Sequence, residues 1–512
     1  MNRRNFLMTT AAVAAMQARA AKFELDEITI DQLQEGMRAG RFTARTLVEK
    51  YLARIDAIDK KGPAINAVIE LNPEALAIAD ALDRERKAKG ARGPLHGIPI
   101  LVKDNIDTGD RMTTTAGSLA LEGSRAARDA AVAARLRAAG AVILGKTNLS
   151  EWANFRSTHS VSGWSGRGGQ TRNPYALDRN PCGSSSGSGA AAAANLCAAA
   201  VGTETDGSVV CPSSMCGIVG IKPTVGLLGG AGIVPISHTQ DTAGPMARTV
   251  RDAAILLGAM ASTDKQQRDY TKYLDRAGLR GARIGIARKF FGFNTAVDRL
   301  MEECIAVLKR EGAEIVDPAD LPSHGKWGEP EMEVLLYEFK ADLTAFLAAR
   351  PGARVRSLAD VIAFNEKNAA REMPYFAQEI MVNAQKKGPL TEKAYLDALA
   401  LCRKLSRAEG IDAVTANYKV QAIVAPTTGP AWVTDWLNGD HDTGGCSTPA
   451  AVAGYPHITV PAGFVHGMPV GISFFGPAWS EPALVKIAYA FEQARQARRP
   501  PEFLPTVRFE KA

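Results

Sequence analysis

Cysteine is scarce in this chain, at seven in 512 residues, and no two form a Cys-x-x-Cys pair. That excludes a disulfide-dense scaffold and a cysteine zinc knuckle. Cys211 and Cys216, close together among Gly, Ser and Pro, read as buried inert thiols. The seven histidines are dispersed and form no H-E-x-x-H spacing, so neither a metal nor another cofactor is expected. The body of the chain has no apolar run of about 18 residues or more, which argues against a membrane-spanning helix. Charge of one sign is also in short supply. The net +7 falls to +4 once Arg3, Arg4 and Arg19 are set aside, and the remainder is too scattered for a nucleic-acid partner. A G-x-S-x-G elbow followed by Asp and His is missing, which removes the usual serine–histidine hydrolase. No internal repeat and no dividing linker appear.

What is present begins with an address. "NRRNFLMTTAAVAAMQARA" pairs Arg3-Arg4 with a small apolar run and ends in Ala18-Arg19-Ala20, resembling a twin-arginine export signal over residues 1–20. Export would place the mature chain in a periplasm or outside the cell. Residues 21–512 then read as one domain. "TARTLVEKYLARIDAID" puts Leu47, Val48, Tyr51, Leu52, Ile55 and Ile58 on one helical face. "HGIPILVKDN" and "AVILGKTN" (141–148) read as buried strands, with a helix at about 126–138 between them. "ARIGIAR" and "AEIV" are strands around a helix at 297–310, a mostly helical insertion covers about 331–419, and "QAIVAPTTGP" and "HITVPAGF" return to strand. "SEPALVKIAYAFEQARQA" closes as an amphipathic helix. Strands alternating with helices predict an α/β fold with a large, mostly parallel mixed sheet covered on both faces. Sites in such sheets lie at the carboxyl ends of strands, where Lys103 and "AAAVGTETDGS" (198–208) fall.

"GSSSGSG" has the composition of a linker, but it runs directly into "GAAAAANLCAA", a small-residue stretch of strong helix propensity, and then into a strand. That context makes it a tight loop at a helix N-terminus. A serine beside it could use lysine as its base, provided burial or nearby cations keep the amine neutral. Lys103, at the end of the apolar run "IPILV", has a stem that a sheet can bury.

Lys103 in "GPLHGIPILVKDNI", the loop "CGSSSGSGAA" and "GTETDGSVVCP" resemble, in order and spacing, the amidase signature family. "APTTGPAW", "AGYPHITVPAGF" and "GMPVGISFFG" resemble its later blocks, and "KTNLSEWANFR" and "SGWSGRGGQTRNPY" are most similar to its bacterial peptide amidases. The resemblance covers about residues 28–495. It implies the amidase-signature fold and a Ser–cisSer–Lys triad: Ser208 as nucleophile, Ser184 as bridging serine on a cis peptide bond, and Lys103 as base. It further implies acyl transfer through an acyl-enzyme, with the N–H groups of Thr205, Asp206, Gly207 and Ser208 as oxyanion hole, and Asn154 lining the site. Ser185 either bonds within the triad or caps its loop. Phe155 and Trp164 are either pocket wall or core. Two positions depart from the family pattern: Asp206 replaces a glycine, and Val210 stands where many members carry arginine, which suits a neutral group near the scissile carbonyl. The expected substrate is a peptide or small-molecule amide, with C-terminal peptide amides foremost. Other small or aryl amides are the alternative. The glutamine-hydrolysing component of a tRNA-dependent amidotransferase is disfavoured by the leader and Val210, and a non-enzymatic binding protein by the complete triad.

Overall fold

Short apolar runs bounded by polar residues become strands. In chain order these are β1 (Val68–Leu71), β2 (Pro99–Lys103), β3 (Val142–Thr147), β4 (Trp164–Ser165), β5 (Gly169–Gln170), β6 (Ala199–Glu204) and β7 (Val219–Lys222). There follow β8 (Thr242–Ala247), β9 (Arg283–Ile286), β10 (Glu314–Val316), β11 (Ala422–Pro426), β12 (His457–Val465) and β13 (Met468–Phe475). The computed structural model describes residues 23–261, 269–350 and 352–508, so the leader read at 1–20 lies outside the described residues. All strands except the β4–β5 pair join one 11-stranded sheet, in the order β1-β3-β2-β6-β8-β7-β12-β13-β11-β9-β10.

The sheet is mixed. Parallel pairing is confined to β3–β2–β6 and β10–β9–β11, and the remaining neighbours run antiparallel. The parallel share is smaller than strand–helix alternation implies. The reason is local: β12 and β13 form a hairpin across His466-Gly467, and β7 and β8, which sequence patterning does not announce, pair antiparallel in the centre. Their sequences, VGIK and TAGPMA, carry glycine or proline and little β-branched character, so sheet neighbours rather than propensity make them strands. Every residue of β2, β3, β6 and β8 is buried. Because successive side chains point to opposite faces, both faces of the sheet are covered.

The alanine-rich run forms the helix Ser186–Ala193, buried at every position. Its first turn approaches neighbouring backbone closely: a Cβ on Gly187 would lie 2.3 Å from the carbonyl oxygens of Ala67 and Asn148. Only glycine fits there. The helix is shorter than the run because Asn195 turns left-handed at φ +59° and Ala199 already begins β6. The helix expected at 126–138 occupies Ala131–Ala138, and that at 297–310 occupies Thr295–Arg310. Between β10 and β11 lie the helices Gly328–Ala348, Leu358–Lys367, Glu379–Gln385, Lys393–Arg403 and Asp412–Tyr418, matching the helical stretch expected at 331–419. Near the two ends of the described chain, Arg498 donates through Nε and Nη2 to both carboxylate oxygens of Glu27 at 2.7 Å. The same guanidinium reaches the carbonyls of Gly217 at 2.8 Å and Ala193 at 3.0 Å.

Candidate active site

β2 and β6 are parallel neighbours, so their carboxyl ends lie side by side. Lys103 ends β2, fully buried, and its Nζ sits 2.8 Å from Ser184 Oγ, 3.0 Å from Ser185 Oγ and 2.9 Å from Thr203 Oγ1. Thr203 belongs to β6. Its hydroxyl also accepts from Asn105 Nδ2 at 3.0 Å. Ser185 Oγ donates to the Thr203 carbonyl at 3.0 Å and accepts from the Thr203 N–H at 3.1 Å. Burial lowers the Lys103 pKa to about 7, against the smaller opposing pull of Asp241 and Glu204.

The Gly183–Ser184 peptide bond is cis. A Cβ on Gly183 would lie 2.2 Å from Ser150 Oγ and 2.9 Å from Ser162 Oγ, so a side chain here would have to displace both hydroxyls. Ser208 is joined to the loop through backbone: Ser185 N–H donates to the Ser208 carbonyl at 3.2 Å. Gly207 turns left-handed at φ +76°. Among the described residues, the N–H groups of Asp206, Gly207 and Ser208 have no protein acceptor. The flanking side chains are anchored. Thr205 Oγ1 donates to Asp241 at 2.6 Å, Asp206 accepts from Thr448 Oγ1 at 2.7 Å, and Glu204 accepts from the N–H groups of Val209 and Val210 at 2.7 and 3.0 Å. Burial raises Asp241 to about 6 and also raises Asp206 and Glu204.

One expectation is corrected. Cys211 is not an inert thiol but forms a disulfide with Cys182. The partners are 29 residues apart in sequence, and folding of two loops onto one another is what makes them neighbours. Cys216 is a buried free thiol, as expected.

Asn154 adopts φ +72° and donates from Nδ2 to Ser162 Oγ at 3.1 Å, beside the residue that flanks Gly183. Phe155 and Trp164 both fall in buried clusters. Phe155 packs edge-on against Phe339 at 5.1 Å and Trp164 against Phe376 at 5.3 Å, with the Arg156 guanidinium over the Trp164 ring. Val210 is buried and starts the helix Val210–Met215, two positions after Ser208. Sequence reasoning does not find Thr203, Asn105 or Asp241. Thr203 lies within the segment "GTETDGS", but only the β2–β6 pairing reveals its contact with Lys103. His238, Glu338 and Asp342 bring metal-ligand atoms within 4.8 Å of one another. Glu338 is already satisfied by Ser237, Thr239 and Tyr395, so the group reads as a hydrogen-bonded cluster.

A lysine buried against serines, unpaired N–H groups at Asp206, Gly207 and Ser208, and an 11-stranded α/β sheet are the features the amidase resemblance calls for. The chain belongs to the amidase family, whose sequence profile matches residues 46–485, and it is an amidase-signature hydrolase. An Arabidopsis thaliana protein named "Probable amidase" is 43% identical, with 97% of this chain and 96% of that protein covered. Among solved structures, the native peptide amidase of Stenotrophomonas maltophilia superposes with a TM-score of 0.89 at 51% identity, over 94% of this chain and 99% of that one. A peptide amidase in complex with the competitive inhibitor chymostatin gives 0.91 at 51% identity, over 93% and 99%. Among the described residues, no helix is long and apolar enough to cross a membrane.

Proposed function

We propose that this amidase hydrolyses the C-terminal carboxamide of peptides to a carboxylate and ammonia, with Ser208 as nucleophile, Ser184 as bridging serine and Lys103 as base. The observation that carries the reading is the buried Lys103 amine 2.8 Å from Ser184 Oγ, with its pKa lowered to about 7. A neutral amine has two N–H donors and one lone pair. Ser185 Oγ gives its own hydrogen to the Thr203 carbonyl, so it and Thr203 Oγ1 take the two N–H groups, and the lone pair is left for the Ser184 hydroxyl. Ser184 passes its proton to Lys103 while taking that of Ser208, whose oxygen forms a bond to the amide carbon. The developing oxyanion is held by the free N–H groups of Asp206, Gly207 and Ser208, with Thr205 at the edge of the same segment. Collapse breaks the C–N bond, the relay returns the proton to the leaving nitrogen as ammonia departs, and water then cleaves the Ser208 ester by the same relay.

The choice of substrate rests on the likeness to peptide amidases at 51% identity and on the apolar Val210 beside the nucleophile. Export by the Arg3-Arg4 leader is part of the same reading. A disulfide among otherwise free cysteines fits an oxidising compartment. The test is mass spectrometry on a peptide carrying a C-terminal amide and an internal glutamine. Each hydrolysis adds about one dalton, because NH2 becomes OH, and fragmentation locates it. The expected gain maps to the C-terminus. A gain at the internal glutamine, or hydrolysis of free glutamine alone, overturns the substrate.

A further inference from the structure

The disulfide joins the two loops that carry the proposed serines. Cys182 immediately precedes Gly183-Ser184, and Cys211 is the third residue after Ser208, within the helix Val210–Met215. Beside this bridge, the two serine segments share the Ser185–Ser208 backbone bond and a weak contact from Cys216 Sγ to the Pro181 carbonyl at 3.8 Å. Cys182 is itself in the left-handed region at φ +61°, which a non-glycine residue keeps only where its surroundings enforce it. Its neighbours supply part of that hold: Cys182 N–H donates to Asn180 Oδ1 at 2.8 Å, and its carbonyl accepts from Ser186 Oγ at 2.6 Å. The bridge to Cys211 adds a covalent tether at the side chain. We propose that the Cys182–Cys211 bridge is a positioning element for the reaction, fixing Ser184 relative to Ser208, so that activity requires the oxidised form. This rests on the serine–lysine reading above.

The chemistry is a two-electron exchange. A dithiol gives two electrons and two protons, becoming a cyclic disulfide, and the bridge becomes two thiols. Cys182 is 6% exposed and Cys211 only partly buried, whereas Cys197, Cys216, Cys304, Cys402 and Cys446 are buried free thiols. A dithiol therefore acts on one bond of the native protein.

The experiment uses the full chain. Dithiothreitol reduces the native protein, iodoacetamide traps part of it, and peptide mapping verifies alkylation of Cys182 and Cys211 alone. The double variant Cys182→Ala/Cys211→Ala is prepared alongside. For each form kcat and KM are measured on an amide that the oxidised protein hydrolyses, and the folded fraction is taken from circular dichroism at the assay temperature. The rate at which phenylmethanesulfonyl fluoride modifies Ser208 is a third readout. The expected result is a kcat lower by ten- to a hundredfold in order of magnitude, the effect of misplacing a reacting group by about 1 Å. KM stays within about twofold and Ser208 modification slows in parallel. Reoxidation of the untrapped protein restores the rate. Full kcat in the folded, reduced protein overturns the proposal, as does a loss matched by the unfolded fraction, since that would be stability alone. An active Ser208→Ala would remove the serine–lysine reading instead, independently of the disulfide.

Discussion

The base role proposed for Lys103 requires an unprotonated amine, and its site favours that form. Burial lowers its pKa, the hydroxyls of Ser184, Ser185 and Thr203 surround it, and among the described residues no carboxylate pairs with it. The sign of the pH dependence follows. Below about 7 the amine is protonated and the relay has no acceptor; above it the neutral fraction, and with it kcat/KM, rises to a plateau. The expected profile reaches half its plateau near pH 7, read from initial rates on a neutral amide. Lys103→Ala is expected to lower kcat by about 10²–10⁴-fold at the plateau. At this scale the sequence displays the residues whose order and spacing are distinctive: Lys103, Ser184 and Ser208. It does not display Thr203 or Asn105 as partners of Lys103, because their contacts exist only once β2 and β6 are paired.

The helix Val210–Met215 starts two positions after Ser208, and its entry is held by one carboxylate. Glu204, at the end of β6, is 1% exposed and accepts from both Val209 and Val210 N–H. Removing it by Glu204→Ala leaves two buried donors unpaired, at ~1–3 kcal/mol each. The expected outcome is destabilisation by at least ~2 kcal/mol in urea unfolding, with a lower kcat because Ser208 sits between the two anchors. Glu204→Gln, whose amide oxygen still accepts, should lose clearly less of both. Elements differ in how far their sequence announces them. The runs at β2, β3, β11 and β12 are apolar and sharply bounded, and sequence patterning places them closely. β7 and β8 are strands by virtue of the sheet around them. The alanine helix is legible as a helix, but its left-handed end at Asn195 is not.

At the scale of the whole chain, the proposed export leader and the disulfide bear on the same question. Replacing Arg3 and Arg4 by lysine is expected to hold the protein in the cytoplasm, measured by its share in periplasmic extracts. The retained protein should then carry free thiols at Cys182 and Cys211, because the cytosol keeps such pairs reduced. The broad architecture is readable from alternating strand and helix patterns along the chain. Strand direction is not, since antiparallel and parallel neighbours share one hydrophobic pattern when both faces are buried. The clasp between Glu27 and Arg498 spans 471 positions. Chains emerge from the ribosome N-terminal end first, so Glu27 must wait for 471 further residues to be made before its guanidinium exists. The carbonyls of Ala193 and Gly217 wait for the same group. This part of the core therefore closes only after residue 498 is made, and a nascent chain stopped just short of Arg498 would leave three separate regions without their common donor.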